Sequence, residues 1–497
     1  MSLRLASTPL IFASAIGALL VAALSPNADA GVVPVSFTYG ELPASIAEPT
    51  SLAFGPDGRL YVATTTDIHA LTLTADSVGV VDDETIATDL SWVLGIAFDP
   101  TSPASPVTIY ASHQDPGATL GFNGAVSKFT GPDWTRVPVV TGLPTSNQNP
   151  TGQITYNHMT NGIAFDASGK LFIAQGSASD GGLPIPYFHE TPLSAAILSA
   201  DIHAPGFDGA ITYDPPGPPA DFNVDQVSGD VSVYAPGMRN PYDLVLHTNG
   251  HMYATDNGAM GQQTSLTCAT QGGPTSTSDK LNLVVEGDYY GFPNRNRGRT
   301  DPRQCTYHPP SEPSSEFYTA PLVILPNHCS CDGLAEYTSD AFGGQMQGDL
   351  IYAEWSSGRI SRLRLADGGE SYLDNPTPLS SAFAAPLDVV VAPNGMIYVA
   401  EYSGNVVSYL APEGSPATPT PGSTATATPG AGLVGDVNCD GVVNSIDAAF
   451  VLQFTAGLFL PLPCAGAADV DESGSIDAID AALILQLEAG LIDHLPP

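Results

Sequence analysis

The chain has 497 residues, more than one compact domain usually holds, and carries 51 acidic against 14 basic residues for a formal charge of -37. That charge excludes nucleic acid or an anionic membrane as partner, because both demand a basic surface. A 43% hydrophobic content supplies a core, while 50 glycines and 45 prolines favour turns over long helices, so the composition predicts a β-rich protein.

Residues 1–30 hold one early positive charge, Arg4, an apolar run over 10–24 and the small-x-small triplet Ala28-Asp29-Ala30. This is the pattern of a cleaved export signal. No later segment is long and apolar enough to span a bilayer, so the mature protein is expected to be secreted, either extracellular or held at the cell surface.

A strand-turn-strand unit then recurs six times. It appears first as SLAFGPDGRLYVAT at 51–64, with Asp57-Gly58 at the turn, and again over 94–112, 161–176, 242–258, 334–364 and 387–410. Irregular spacing argues against a solenoid, whose stacking needs a nearly constant repeat. Six units without a helical period between them predict an all-β six-bladed β-propeller over 31–410, one four-stranded blade per unit. The apolar stretch 32–37 is the expected ring-closing strand. Loops at one mouth of the channel are where a site is expected, and the richest, Gly237-Met238-Arg239-Asn240-Pro241, precedes the fourth unit.

Six cysteines in an exported chain predict disulfides. Two bridges are expected among Cys268, Cys305, Cys329 and Cys331, and a third between Cys439 and Cys464. Cys329 and Cys331 are too close in sequence to pair comfortably, so each is expected to reach Cys268 or Cys305, in either arrangement.

Four segments in order, HMTNGIAFDASGKLFIAQG from His158, GMRNP from Gly237, DNGA from Asp256 and SDKLNLVVEGDYYGFP from Ser278, resemble the soluble quinoprotein glucose/sorbosone dehydrogenases over about 43–410. That resemblance implies a propeller holding pyrroloquinoline quinone and calcium at one mouth and oxidising a sugar hydroxyl by hydride transfer. His158 matches the family's general base, Arg239 and Asn240 match residues that contact the cofactor and stabilise charge, and the carbonyls of Gly258 and Ala259 match calcium ligands. The chain departs from the family at three cations. Ser356 stands near the position of a cofactor-binding lysine, and Ala385-Pro386-Leu387-Asp388 replaces a segment with two arginines. The alternative is therefore a non-catalytic propeller that binds carbohydrate or protein.

After 410 the composition shifts to a Pro/Thr/Ser/Gly run at 411–432, an extended tether with no means of burying a core. Two near-copies follow within 433–497, each a calcium loop of the EF-hand type leading into an apolar helix. The first loop offers Asp436, Asn438, Asp440, the Val442 carbonyl, Asn444 and Asp447; the second offers Asp469, Asp471, Ser473, the Ser475 carbonyl, Asp477 and Asp480. Aspartate at the last loop position and the absence of a preceding helix resemble a type I dockerin, a small all-α calcium-binding module that docks onto a cohesin. The resemblance implies that Ser445, Ile446, Ala478 and Ile479 choose the partner. The whole is expected to attach a sugar-acting propeller to a cohesin-bearing or polysaccharide-degrading assembly.

Overall fold

The computed structural model describes residues 35–115, 121–145, 158–180, 190–214, 216, 223–259, 268 and 277–413, and in the C-terminal part 434–435, 437, 443–455, 462, 464, 467–471, 473, 475–488, 492 and 494–495. The expected export signal lies outside them. The chain divides into two compact units, Met1–Thr418 and Pro419–Pro497.

The first unit is a six-bladed propeller of four-stranded antiparallel blades. Counting outward from the axis, blade 1 comprises Pro49–Phe54, Leu60–Thr64, Ile68–Leu73 and Val80–Ala87, and blade 2 Gly95–Phe98, Thr108–Gln114, Gly124–Thr130 and Thr135–Leu143. Blade 3 comprises Thr160–Phe165, Leu171–Gln175, Ala196–Ala200 and Ser232–Pro236, with a small hairpin, Thr212–Asp214 and Asp225–Ser228, inserted before its last strand. Blade 4 comprises Pro241–Leu246, Met252–Asp256, Lys280–Val284 and Val323–Ile324, and blade 5 Cys331–Tyr337, Asp349–Glu354, Arg359–Leu363 and Thr377–Ser380. Blade 6 takes Pro386–Val391, Ile397–Glu401 and Val406–Pro412 from the end of the unit and Phe37–Glu41 from its start. The six repeats read from the sequence cover the inner hairpins of these blades, and those at 334–364 and 387–410 run on into the third strand.

Ring closure uses Phe37–Glu41, with Phe37 opposite Pro412 and Glu41 opposite Ser408; it overlaps the expected strand only at Phe37. Phe37 explains the placement, because its ring packs edge-on against Tyr337 and Phe342 of blade 5.

Blades 1, 3, 4 and 6 close their inner hairpins with one turn. Gly55, Asp166, His247 and Ala392 each donate their N–H to the carbonyl four residues on and accept at their own carbonyl from a glycine three residues on. Those glycines, Gly58, Gly169, Gly250 and Gly395, have φ between 78° and 89°, a region that suits a residue without Cβ. The second strand of each blade is buried along nearly its whole length, since both of its faces meet neighbouring blades. Tyr61, Tyr253, Tyr352 and Tyr398 on these strands lie in the apolar clusters between adjacent blades.

The cysteine pairing differs from expectation. Cys268 joins Cys305, and Cys329 joins Cys331 across a Cα separation of 5.2 Å. An extended pair two residues apart would span about 6.6 Å. Ser330 instead takes φ of 45°, and this bend brings the two cysteines within bridging reach. Cys464 is also disulfide-bonded; its expected partner, Cys439, lies outside the described residues.

In the second unit, helices α1 (Ser445–Thr455) and α2 (Ala478–Glu488) pack around Val437, Ala448, Val451, Val470, Ala481 and Ile484. Among the described residues no helix is long and apolar enough to cross a membrane.

Candidate functional site

His158 lies just before the innermost strand of blade 3, and Arg239-Asn240 just before that of blade 4. Ser177 and Asn257–Ala259 follow the second strands of the same two blades. An innermost strand begins at the mouth where its antiparallel partner ends, so these residues share one mouth. Asn161 Nδ2 donates to Asn240 Oδ1 and to the Pro241 carbonyl, both at 2.8 Å. The Arg239 carbonyl accepts from the Ser177 N–H, and the Asn240 carbonyl from the Asn257 N–H. Gly176 sits between the two blades, where a Cβ would stand 2.3 Å from His158 Cβ and 2.8 Å from Asn240 Oδ1. Only glycine permits this approach.

His158 is half-buried, and its Nδ1 lies 2.9 Å from Ser177 Oγ and 3.1 Å from the Ser177 carbonyl. The Ser177 hydroxyl donates to the Ser179 carbonyl at 2.5 Å, so it accepts from the imidazole. The proton of neutral His158 therefore sits on Nδ1, and Nε2 carries the lone pair. Burial, followed by the nearby Arg239 guanidinium, holds His158 well below the usual histidine range. Ser179 is fixed in turn by Glu190, whose buried carboxylate accepts from the N–H groups of Ala178 and Ser179 and the hydroxyls of Ser179 and Ser194.

Arg239 is 4% exposed, and its guanidinium donates to the Asp180 carbonyl, the Asp180 carboxylate and the Asn257 carbonyl. Asp256 accepts from the Asn240 N–H and forms a buried 2.6 Å ion pair with Lys280. Tyr307 is electrostatically close to Lys280, Asp256 and Arg239. Across the mouth, Trp355 and Tyr402 follow the second strands of blades 5 and 6, their rings 5.2 Å apart. Asp180, Tyr307 and the Asp256–Lys280 partnership escape sequence reading because each depends on a contact between distant segments; only the polar end of each second strand hints at them.

The model of the glucose/sorbosone dehydrogenase family matches residues 46–407. The chain belongs to that family. Residues 434–487 match the type I dockerin domain. This dehydrogenase-family chain is 23% identical over 301 residues to quinoprotein glucose dehydrogenase B of Acinetobacter calcoaceticus, covering 54% of the chain and 55% of that relative. It thus spans about half the length of the curated relative it matches. A putative oxidoreductase (glucose dehydrogenase) of Thermus thermophilus superimposes with a TM-score of 0.53 at 21% identity, covering 76% of this chain and 100% of that one. The holo pyranose dehydrogenase PQQ domain of Coprinopsis cinerea gives 0.52 at 15% identity, covering 76% and 95%. At these identities the superpositions establish the shared fold.

Family membership makes the quinone the first ligand to test against this mouth. All thirteen lysines and arginines other than Arg4 lie among the described residues. Arg239 and Lys280 stand at this mouth, and each already faces an aspartate. Beneath them, the Arg297 guanidinium is occupied by the carbonyls of Pro192, Ser194 and Ala195. Arg359 is exposed on the third strand of blade 5, in register with Glu354. At the expected cation positions, the Ser356 N–H donates to the Cys329 carbonyl and the Ala385 carbonyl accepts from Tyr402. A tricarboxylate would bring further negative charge to cations already neutralised, so the residues present do not fit it. The expected calcium position at Gly258 and Ala259 is partly engaged. The Ala259 carbonyl accepts from the Thr277 N–H at 2.9 Å, and the nearby Asp256 carboxylate is paired with Lys280 rather than open to a metal.

In the dockerin domain the last residue of each loop is fully buried. Asp447 accepts from the N–H groups of Val437 and Asn444, and Asp480 from those of Val470 and Asp477. Oxygens of Asp469, Asp471 and Asp480 gather within 4.8 Å of one another, a donor set that suits a hard cation. The Ser475 carbonyl accepts from the Ser473 hydroxyl, and Asp477 accepts from the Ile479 N–H at the start of α2. Asp436, Asn438, Asp440 and Val442 of the first loop lie outside the described residues. Ser445, Ala478 and Ile479 are exposed, Ile479 by 58%; the Ile446 side chain is not among those described. Leu452 and Leu485, at matching positions of the two helices, are also exposed.

Proposed function

We propose that the chain is an exported carbohydrate-binding propeller of the sugar dehydrogenase family, held by its dockerin to a cohesin-bearing scaffold or polysaccharide-degrading assembly. The observation that carries the reading is the compensated charge of the mouth: Arg239 and Lys280 are spent on Asp180 and Asp256. What remains is a mixed polar and aromatic surface of Asn240, His158, Tyr307, Trp355 and Tyr402. Sugars suit such a surface, because ring faces cover their C–H groups while amides and carboxylates take their hydroxyls. Support for the cohesin partner comes from the matched apolar residues Leu452 and Leu485 and exposed Ile479, with calcium holding the two loops. Support for export comes from the signal-like pattern of residues 1–30.

A second reading, oxidation of a sugar hydroxyl with pyrroloquinoline quinone, is favoured by one specific observation: neutral His158 keeps the lone pair on Nε2, beside Arg239 and Asn240. One titration separates the two. The full-length, calcium-loaded protein is titrated with the quinone and with a sugar panel, following tryptophan fluorescence and quinone absorbance. The binding reading expects saturable sugar binding, weakened about tenfold in Trp355→Ala, and no quinone uptake at high micromolar concentration. Quinone binding with sugar-dependent reduction, lost in His158→Ala, overturns it in favour of the dehydrogenase.

A further inference from the structure

The aromatic pair at the mouth has a charged neighbour. Glu48 stands just before the innermost strand of blade 1, at the same mouth as Trp355 and Tyr402. The Tyr402 hydroxyl hydrogen-bonds the Glu48 carboxylate, and the Tyr402 ring lies 5.2 Å from that of Trp355. Blades 5, 6 and 1 thus set an indole, a phenol and a carboxylate side by side.

Each of the three is held in place by the backbone beneath it. The Trp355 N–H donates to the carbonyl of Ser330, in the turn closed by the Cys329–Cys331 bridge, and the Tyr402 N–H donates to the Ala385 carbonyl. The Glu48 N–H donates to Asn405 Oδ1 at 3.0 Å, and its carboxylate accepts from the Thr65 hydroxyl at 2.8 Å. Glu48 also takes φ of 49°, a left-handed conformation that a side chain disfavours. Residues kept in such conformations gather at ligand sites. Both rings are half-buried and Glu48 is exposed, so all three present surface to the solvent in the mouth.

Charge decides what a ligand there should carry. Among the described residues Glu48 takes part in no ion pair. The hydroxyls of Thr65 and Tyr402 leave its charge in place, and an ionised carboxylate offers about four acceptor sites, so there is room for a further donor. Arg239 and Lys280, the cations of this mouth, face Asp180 and Asp256, and the whole chain carries a formal charge of -37. A field of that sign draws cations in and repels anions. A pyranose lying on the Tyr402 ring presents its equatorial substituents around the ring's edge, and Glu48 stands at that edge, beside the hydroxyl. An ammonium there makes a charge-assisted hydrogen bond, roughly twice as strong as one between neutral groups.

Resting on the carbohydrate-binding reading, we propose that the mouth selects sugars with a free amine, hexosamines and their oligomers. The ammonium pairs with Glu48 while Trp355 and Tyr402 cover the ring.

The test is calorimetric titration of the full-length, calcium-loaded protein, in about 0.15 M salt to screen diffuse attraction. Three ligands are compared: the glucosamine trimer, its N-acetylated counterpart, which has lost the charge, and the glucose trimer. The glucosamine trimer is expected to bind about tenfold tighter than either of the others, and Glu48→Gln to cut that preference to about twofold or less. Glutamine keeps the side chain's shape and an acceptor for Thr65, so the lost preference reports the charge. Equal affinity for all three trimers overturns amine selection while carbohydrate binding stands. A preference that survives Glu48→Gln overturns it as well, assigning the effect to the acidic surface at large. If no trimer binds, the carbohydrate-binding reading falls and this inference falls with it.

Discussion

Gly333 shows how tightly a single position is set. A Cβ there would stand 2.4 Å from the Asp388 Cα as well as its carboxylate, and a backbone atom has nowhere to retreat. Gly333→Ala is therefore expected to destabilise the propeller by about 1–3 kcal/mol, measured from the denaturant midpoint. His113 makes a prediction about acid. Buried in blade 2 between the Gln114 carbonyl and the Ser127 hydroxyl, it is pushed down to about 4, chiefly by burial. In the unfolded chain it titrates near 6.5, so as the pH falls the unfolded state takes the proton first. Stability is thus present above pH 6.5 and lost between 6.5 and about 4, by up to about 3 kcal/mol. His113→Gln is expected to flatten that limb in urea melts from pH 7 to 4.5; an unchanged slope would mean that other groups set it.

The repeating element was the most legible level, and the reason is local. Each inner hairpin writes its own turn, as in Pro56-Asp57-Gly58 and Thr248-Asn249-Gly250, beside strands of continuous apolar residues. The register shifts of the innermost strands left no such trace, because they are imposed by packing around an axis that no single hairpin contains. For that reason the tie that Asp243 of blade 4 makes by accepting from the Leu334 N–H of blade 5 was not legible in the sequence. The Cys329–Cys331 bridge was missed for a similar cause: it rests on the left-handed conformation of Ser330, a residue with no bias toward it. The catalytic-type trio of His158, Arg239 and Asn240 was legible as motif, whereas the aspartates that neutralise its surroundings were not. In the dockerin, Asp447 and Asp480 each gather the N–H groups of a loop and a helix start. Removing calcium with EDTA is expected to abolish the helical signal of α1 and α2 in far-ultraviolet circular dichroism. The cooperative propeller melt should remain a separate transition. Full retention of helicity without calcium would count against calcium-dependent folding of the loops.

Across the whole molecule, the propeller is a ring fastened once. Phe37–Glu41 pairs with Val406–Pro412, and Glu413 accepts from the hydroxyls of Ser36 and Thr38 just beyond the ladder. Deleting residues 35–41 should lower the melting temperature by several degrees or more, because it opens blade 6 and uncovers the packing around Tyr337 and Phe342; an unchanged melting curve would show that blade 6 closes without it. The same fastening has a mechanical side. Val406–Pro412 is the last propeller strand before the tether toward the dockerin, and it is flanked by partners on both edges, Ile397–Glu401 on one and Phe37–Glu41 on the other. A load reaching Pro412 along the chain enters a strand held by two ladders, and both must yield before that strand leaves the sheet. The strand that ends the propeller is thus a doubly braced seam, the part of the ring best placed to take tension.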